Sequence, residues 1–268
     1  FIRGAIAKAR VPKSPRDRKA TKSVFSAQGG FGSLVEALAA AIGHDRITTS
    51  AHHISVMPDG EGWRVSYEHR DTTVELHARR VVSTCPAYAL SGLLPFVAPD
   101  LMADLSNLRY APVVQIGVGL RNTRGNDWKA FGGLVPSHER QQVLGILFPS
   151  SCFASRAPEG GLTMAWFMGG MRHPDIVKMS DEDLAEIVDR TLVDMLKFPV
   201  DTHPDSLRIF RHERAIPQYE LSTDRRLQAI ALLRQQYPTL TIAGNLRDGI
   251  GIGDRIKQGC DIALNENH

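Results

Sequence analysis

The segment from Thr241 to Ala263, TIAGNLRDGIGIGDRIKQGCDIA, sets the first expectation for the fold. A short apolar run reaches Gly244, further glycines follow at 249, 251 and 253, and the remaining residues are typical of a helix. A strand that passes through a glycine-rich turn into a helix presents backbone N–H groups to a phosphate or another cofactor oxygen. The segment therefore predicts a cofactor-binding turn, although a purely structural connection has the same local pattern.

Composition is that of a globular protein. The chain has 268 residues, of which 43% are hydrophobic and 23% charged, enough for one large or two modest domains. Lys and Arg number 32 against 29 acidic residues, an excess too small to predict a nucleic-acid partner. The excess is concentrated in residues 1–24, which we interpret as a basic linker; contact with an anionic membrane surface is the alternative. No apolar run reaches the roughly 20 residues of a membrane-spanning helix.

Side chains that carry catalysis by themselves are not recognisable in this sequence. Cys85, Cys152 and Cys260 are far apart, which predicts neither a zinc site nor a disulfide framework and favours a reducing compartment. His52 and His53 have no acidic or cysteine ligands nearby, so we predict no metal site. The sequence contains no HExxH, GxSxG or Walker pattern. If the protein is an enzyme, a cofactor therefore supplies the chemistry.

The distribution of apolar residues predicts a mixed α/β (α+β) fold. Strand-like runs between 54 and 86 predict a small antiparallel layer, and longer apolar strands from Val113 onward predict a mixed or antiparallel sheet. Ser180 and Asp183 form a capping box at the start of a helix that can cover this sheet. Further helices are expected before Gly43 and over 224–236.

Six segments together resemble a known family. In order along the chain they are FSAQGGFGSLVEAL (25–38), VVSTCPAYAL (81–90), FGGLVPSHE (131–139), VLGILFPSSCFASRAP (143–158), MAWFMGG (164–170) and AGNLRDGIGIGDRIKQGC (243–260). Their order and spacing resemble the oxygen-dependent protoporphyrinogen oxidases, a branch of the FAD-dependent amine oxidase-like superfamily. The resemblance covers nearly all of residues 25–265.

The resemblance implies two domains and the residues that face each ligand. Residues 25–108 and 216–268 would be parts of an FAD-binding domain, and 109–215 a substrate-binding domain. The segments that contact FAD in the family match His53, Gly244, Asn245, Gly249, Ile250, Gly251 and Ile252. The residues that lie against the tetrapyrrole match Leu134, Leu144 and Phe167.

The activity implied is oxidation of protoporphyrinogen IX to protoporphyrin IX in haem synthesis, with hydride transfer to FAD and O2 as the reoxidant. The family's N-terminal GxGxxG strand-turn-helix has no match before residue 29, so we expect a C-terminal part that binds FAD poorly and is inactive alone. The alternatives are a coproporphyrinogen-oxidising enzyme, another flavin amine oxidase or desaturase, and a truncated non-catalytic binding module. The expected location is the cytoplasm, and the resemblance leaves room for peripheral membrane contact and a homodimer.

Overall fold

The computed structural model describes residues 23–126 and 128–265, together with residues 6, 10, 12, 15 and 17–19. Residues 1–49 and 50–268 form two compact units, which are described separately. The predicted basic linker falls largely outside the described residues. In the first unit, helix α1 spans Gly32–Ile42 and ends at Gly43, as its sequence predicts. Its apolar positions Val35, Leu38 and Ile42 are exposed within that unit.

The second unit contains ten strands and six helices among its described residues. The strands are β1 His52–Asp59, β2 Gly62–His69, β3 Thr72–Ala78, β4 Val81–Ser83, β5 Tyr110–Leu120, β6 Gly132–Leu134, β7 Val143–Leu147, β8 Leu162–Gly169, β9 Ser206–Pro217 and β10 Leu240–Ile242. The helices are α2 Leu90–Leu93, α3 Pro99–Ser106, α4 Pro149–Cys152, α5 Asp181–Asp194, α6 Thr223–Gln236 and α7 Ile252–Asn265. This mixture of helices and sheets confirms the predicted fold class.

The largest sheet has five antiparallel strands in the order β6-β7-β8-β5-β9. Side chains alternate between its faces, and on β8 every second residue, including Met164, Trp166 and Met168, is fully buried. Helix α5 covers that face with Leu184 and neighbouring apolar residues. Its start confirms the N-cap of the predicted capping box, because the Ser180 hydroxyl accepts a hydrogen bond from the Asp183 N–H at 3.0 Å.

We call the opposite face of this sheet, which carries Phe167, the outer face. Directly opposed residues of antiparallel neighbours lie on one face. One row of such residues crosses the sheet from Leu134 through Gly145, Phe167 and Gln115 to Phe210. Several positions in this row and the next are glycine or alanine, so the outer face is shallow.

A second core joins segments that are distant in sequence. Apolar residues of 56–108, among them Trp63 and Leu90, pack with residues of 229–246, among them Leu233 and Ile242. The Trp63 indole N–H donates to the Thr239 hydroxyl at 3.0 Å, which ties β2 to the residue before β10. The predicted domain boundaries remain a prediction, although residues 50–108 and 216–268 share this core.

One strand pairs differently from the expectation. Strands β1, β2 and β3 form the predicted antiparallel layer. Strand β4, which we expected in the same layer, pairs with β10 in parallel, with Val81, Val82 and Ser83 beside Leu240, Thr241 and Ile242. The expectation was wrong because local sequence favours hairpin neighbours, whereas the partner of β4 comes from almost 160 residues later in the chain.

We expect Leu184→Ala to lower the free energy of unfolding by about 2–5 kcal/mol, because the side chain is fully buried between α5 and the sheet and its loss leaves a cavity. Urea unfolding followed by circular dichroism measures this change. Glu186→Ala, on the exposed side of the same helix, is the matched control and should alter stability by less than about 0.5 kcal/mol. Equal stabilities of the two variants would contradict the placement of α5.

Candidate functional site

The glycine turn follows β10 and is shaped by close backbone contacts. The Ala243 N–H donates to the Ser83 carbonyl at 2.8 Å, and the chain then turns at Gly244, whose φ is +90°. A Cβ at Gly244 would lie 2.7 Å from the Thr84 carbonyl oxygen, so no side chain fits there. Gly249 has φ +95°, a second conformation that favours glycine, and α7 begins three residues later.

Two side chains from the first turns of α7 fix the turn from beneath. The Arg255 guanidinium donates to the Gly244 carbonyl, to Gln258 Oε1 at 2.8 Å and to the Arg247 carbonyl at 2.9 Å. Gln258, which is buried, accepts from the Gly244 N–H at 2.9 Å and donates to Asp248 Oδ2 at 2.8 Å. The turn is therefore held from its own helix before any ligand binds.

The N–H groups of the turn divide into two sets. Gly244 N–H is bonded to Gln258, and Gly251 N–H donates to Asp254 Oδ2 at 3.1 Å. Within the described residues, no protein acceptor is bonded to the N–H groups of the four predicted residues Asn245, Gly249, Ile250 and Ile252, and the same holds for Leu246, Arg247 and Asp248 between them. Ile250 and Ile252 are half exposed. Free N–H groups at the start of a 14-residue helix form a surface that suits an anionic group such as a pyrophosphate.

Two tyrosines brace the other side of the turn. The Tyr219 hydroxyl donates a bifurcated hydrogen bond to the carbonyl oxygens of Asn245 at 2.8 Å and Gly249 at 3.1 Å. The Tyr110 hydroxyl accepts from the Ala87 N–H at 3.0 Å and donates to Asn245 Oδ1 at 3.3 Å. Burial raises the pKa of both phenols, so both stay protonated and able to donate at neutral pH.

Arg226 on α6 is completely buried and supports the same region. Its guanidinium donates to the carbonyls of Leu246 at 3.0 Å and Asn107 at 3.2 Å, and to the Thr223 hydroxyl at 3.2 Å. No carboxylate is bonded to it among the described residues. Burial lowers its pKa, yet an arginine remains charged in proteins. Asn107 caps the C-terminal end of α3, where a helix dipole favours a cation.

His53 lies in an irregular part of β1. Pairing with β2 jumps from His52 opposite Glu68 to Ser55 opposite Ser66, so His53 and Ile54 lie in a bulge. The φ of His53 is +51°, and its imidazole is largely exposed, 3.8 Å from Glu68. Its main chain is thus released from the sheet ladder. No group of three or more potential metal ligands occurs among the described residues.

The three apolar candidates lie on neighbouring strands. Leu134 and Phe167 each face Gly145 across a strand pair and share the outer face, opposite to Trp166. Leu134 is 87% exposed, and Phe167 is half buried. Leu144 sits where the β7–β8 register shifts, and its Cδ1 would lie 3.5 Å from a Cβ at Gly170. The structure thus brings Leu134 and Phe167 to one face and leaves Leu144 at its border.

Several residues of this site were not found from the sequence. Tyr110, Tyr219, Arg226, Arg255 and Gln258 contact the turn from four different elements or loops. Only the spacing of Arg255 and Gln258, three residues apart on one helix face just after the glycines, offered a local signal. The other contacts arise from folding alone.

The chain is similar to known proteins over nearly all of its length. The family model described as flavin containing amine oxidoreductase matches residues 3–263. Protoporphyrinogen oxidase 1, chloroplastic, from Arabidopsis thaliana is 29% identical over 96% of this chain and 50% of its own length. The chloroplastic protoporphyrinogen oxidase of Nicotiana tabacum is 29% identical over 94% of this chain and 48% of its own. The chain thus spans about half the length of the curated relatives it matches.

Solved structures share the fold. A crystal structure from Exiguobacterium sp. 255-15, with a provisional protoporphyrinogen oxidase name, has a TM-score of 0.79 at 20% identity and covers 93% of this chain and 53% of that chain. Cyclohexylamine oxidase from Brevibacterium oxydans IH-35A has a TM-score of 0.67 at 16% identity and covers 89% of this chain and 53% of that chain. At these identities the likeness concerns the fold alone.

We expect Tyr219→Phe to loosen the glycine turn, because the carbonyls of Asn245 and Gly249 lose their shared donor. The free energy of unfolding should fall by about 0.5–1.5 kcal/mol, and amide hydrogen exchange should accelerate at Gly244 and Gly251, the turn residues whose N–H groups are hydrogen-bonded. Tyr67→Phe is the control, since its hydroxyl has no hydrogen bond to a described residue. Identical exchange at Gly244 and Gly251 in both variants would show that Tyr219 does not stabilise the turn.

The stability of the folded state is expected to depend on pH through the carboxyl group of Asp248. Burial by itself would raise the pKa of its carboxyl, but hydrogen bonds from Gln258 and Arg247 outweigh this, so the pKa lies below its ordinary value of 3.8. A carboxyl with a lowered pKa stabilises the folded state above its unfolded pKa, and this stabilisation is lost as the pH falls through the folded pKa.

We therefore expect Asp248→Asn to melt at a lower temperature than the wild type near neutral pH, with the difference shrinking from about pH 5 to about pH 2. Differential scanning calorimetry across this range measures it. Asp71→Asn, in the exposed turn between β2 and β3, is the control and should track the wild type throughout. A difference that stays constant with pH would contradict the charged hydrogen bonds of Asp248.

Proposed function

The chain belongs to the flavin containing amine oxidoreductase family, and from this membership we propose that it forms the C-terminal part of an FAD-dependent protoporphyrinogen oxidase. The proposed reaction converts protoporphyrinogen IX to protoporphyrin IX. The observation that carries the proposal is the match of more than 90% of this chain to protoporphyrinogen oxidases of two plants. The activity proposed is that of the complete protein, since the chain spans about half the length of those relatives.

The residues of the glycine turn fit one part of FAD. The free N–H groups of Asn245, Gly249, Ile250 and Ile252 would donate to flavin or pyrophosphate oxygens. Gly244 and Gly251, whose N–H groups are bonded within the protein, would contribute by lacking side chains that block approach. The main chain of His53, released by the bulge in β1, would contact the adenine.

The outer face of the large sheet is proposed as the tetrapyrrole side. On that face Leu134 is exposed and Phe167 is half buried. The neighbouring positions Gly145, Ala165 and Gly117 have small or no side chains, so the face is shallow. A porphyrinogen is a broad, mainly apolar disc, and such a surface can hold it with few polar contacts. Leu144 at the border of the face would close one side of the slot.

When bound, FAD would supply a hydride acceptor for the meso carbons of the substrate, and O2 is the proposed oxidant of the reduced flavin. The residues of this chain would bind FAD and the porphyrinogen, orient them relative to each other and exclude water from the space between them. The backbone of the turn would hold FAD, and the flat outer face with Phe167 would fix the plane of the porphyrinogen. Alignment of the two ligands would then take the place of acid and base catalysis. This division agrees with the sequence, in which we recognise no catalytic side chain.

We further propose a cytoplasmic location, which three unpaired cysteines support. None of the described helices has the length and apolarity required to cross a bilayer. The proposal also includes peripheral contact with a membrane, which vesicle flotation would test, and a homodimer, which light scattering would test.

The decisive experiment measures flavin content and oxidation in the complete protein. We expect bound FAD, seen in the visible spectrum, and oxygen-dependent formation of fluorescent protoporphyrin from protoporphyrinogen. Faster oxidation of coproporphyrinogen would assign the related branch instead, and a colourless protein without activity would refute the proposal in favour of a binding module.

In that protein, Phe167→Ala should lower kcat/KM for the porphyrinogen several-fold while FAD content stays unchanged. The physical reason is that a stacked aromatic contributes about 0.5–1.5 kcal/mol beyond its buried area, whereas the proposed FAD contacts are main-chain groups of another segment. Leu76→Ala, an exposed apolar residue of β3, is the control. Loss of flavin with normal turnover on resupply would show that this face is not the tetrapyrrole side.

A further inference from the structure

We infer that Arg208 on β9 is a carboxylate anchor on the outer face, and that with Phe210 it selects tetrapyrroles that carry propionate side chains. This inference rests on the proposed function. Neither residue lies in the six segments that carry the family resemblance. Neither is among the candidate site residues of the sequence analysis. Their placement follows from strand register.

Register places both residues on the outer face. Phe210 is opposite Gln115, which is opposite Phe167, and Arg208 is opposite Gly117, which is opposite Ala165. Ile209, between them on β9, packs on the buried cluster beneath the sheet. Because side chains alternate along a strand, Arg208 and Phe210 point to the same side as Phe167.

The surface between Phe167 and Arg208 is formed by small residues. Ala165 and Gly117 lie along the path, and a groove of about 400 Å³ continues past Arg208, bordered by Gly119, Thr163 and Asp205. Two strand spacings and a two-residue offset separate the Cα atoms of Phe167 and Arg208 by roughly 12 Å. An arginine side chain extends across part of that distance, so a disc stacked over Phe167 can present a peripheral propionate to it.

Charge on this surface is not balanced at Arg208. Asp205, the acidic residue of the groove, accepts a hydrogen bond from the Arg121 N–H at 2.7 Å and lies 4.0 Å from the Arg121 guanidinium. Arg208 makes no side-chain hydrogen bond or ion pair with any described residue. Next to it the Phe210 ring is 48% exposed. An exposed aromatic ring beside an uncompensated guanidinium matches a ligand with an apolar plane and an anionic edge.

The two residues are expected to act on different parts of the ligand. Arg208 would contribute a charge-assisted, bidentate hydrogen bond to a carboxylate. Phe210 would contribute apolar contact to the macrocycle and would not distinguish an acid from its ester. This separation makes the inference testable with two ligands that share a macrocycle and differ in charge.

The test titrates the 268-residue chain with mesoporphyrin, a stable tetrapyrrole with two propionates, and with its dimethyl ester, in one detergent-containing buffer. Binding is measured from the absorbance and fluorescence of the porphyrin. We expect Arg208→Gln to weaken binding of the diacid about 10-fold and leave the ester unchanged, consistent with loss of a hydrogen bond between charged groups. Arg208→Lys should restore part of the affinity, and Phe210→Ala should weaken both ligands equally.

Arg64→Gln is the matched control, because it removes an exposed positive charge from a different sheet. If Arg208→Gln and Arg64→Gln weakened binding of the diacid equally, the effect would be due to net charge alone, and the inference would be overturned. It would also be overturned if Arg208→Gln weakened the ester as much as the diacid, or if the wild type bound neither. Absence of FAD and of oxidation in the complete protein refutes the proposed function instead, and leaves the discrimination between acid and ester measurable.

Discussion

The close contact between Gly244 and Thr84 is the constraint on which the candidate cofactor site depends. A parallel pair of short strands, β4 and β10, brings the two residues together, and only a residue without a Cβ fits. Parallel pairing needs a long connection, and here that connection contains the whole five-stranded sheet. The turn that follows is therefore positioned by two paired strands that are almost 160 residues apart in the sequence.

The turn is stabilised by hydrogen bonds from four side chains. Arg255 and Gln258 bond to it from α7, Tyr219 bonds to two of its carbonyls, and Arg226 fixes Leu246 from a fully buried position. Because these bonds are made within the protein, the turn is preorganised, and binding a ligand there does not require ordering the loop. The N–H groups left free are the part of the turn that a ligand can use.

Because side chains alternate along each strand, the two faces of the five-stranded sheet have different environments. One face carries Met164, Trp166 and Met168 under α5 and supplies the core. The other face carries Phe167 and, on β9, Arg208 and Phe210, and remains open. A substitution on one face is thus expected to change folding, and a substitution on the other to change binding, even between adjacent residues such as Trp166 and Phe167.

The sequence by itself determined the fold class, the capping box at Ser180, the end of α1 and the position of the glycine turn, because each depends on neighbours within a few residues. Its motifs also identified the family. Tertiary structure alone decided that β4 pairs with β10, that Arg226 is buried at the turn, and that the N–H group of Gly244 is bonded to Gln258. These features join residues from about ten to more than a hundred positions apart, and side-chain periodicity carries no information on such partners. The apolar candidates show the same division, since their motifs selected Leu134 and Phe167, whereas strand register decided that Phe210 and Arg208 share their face.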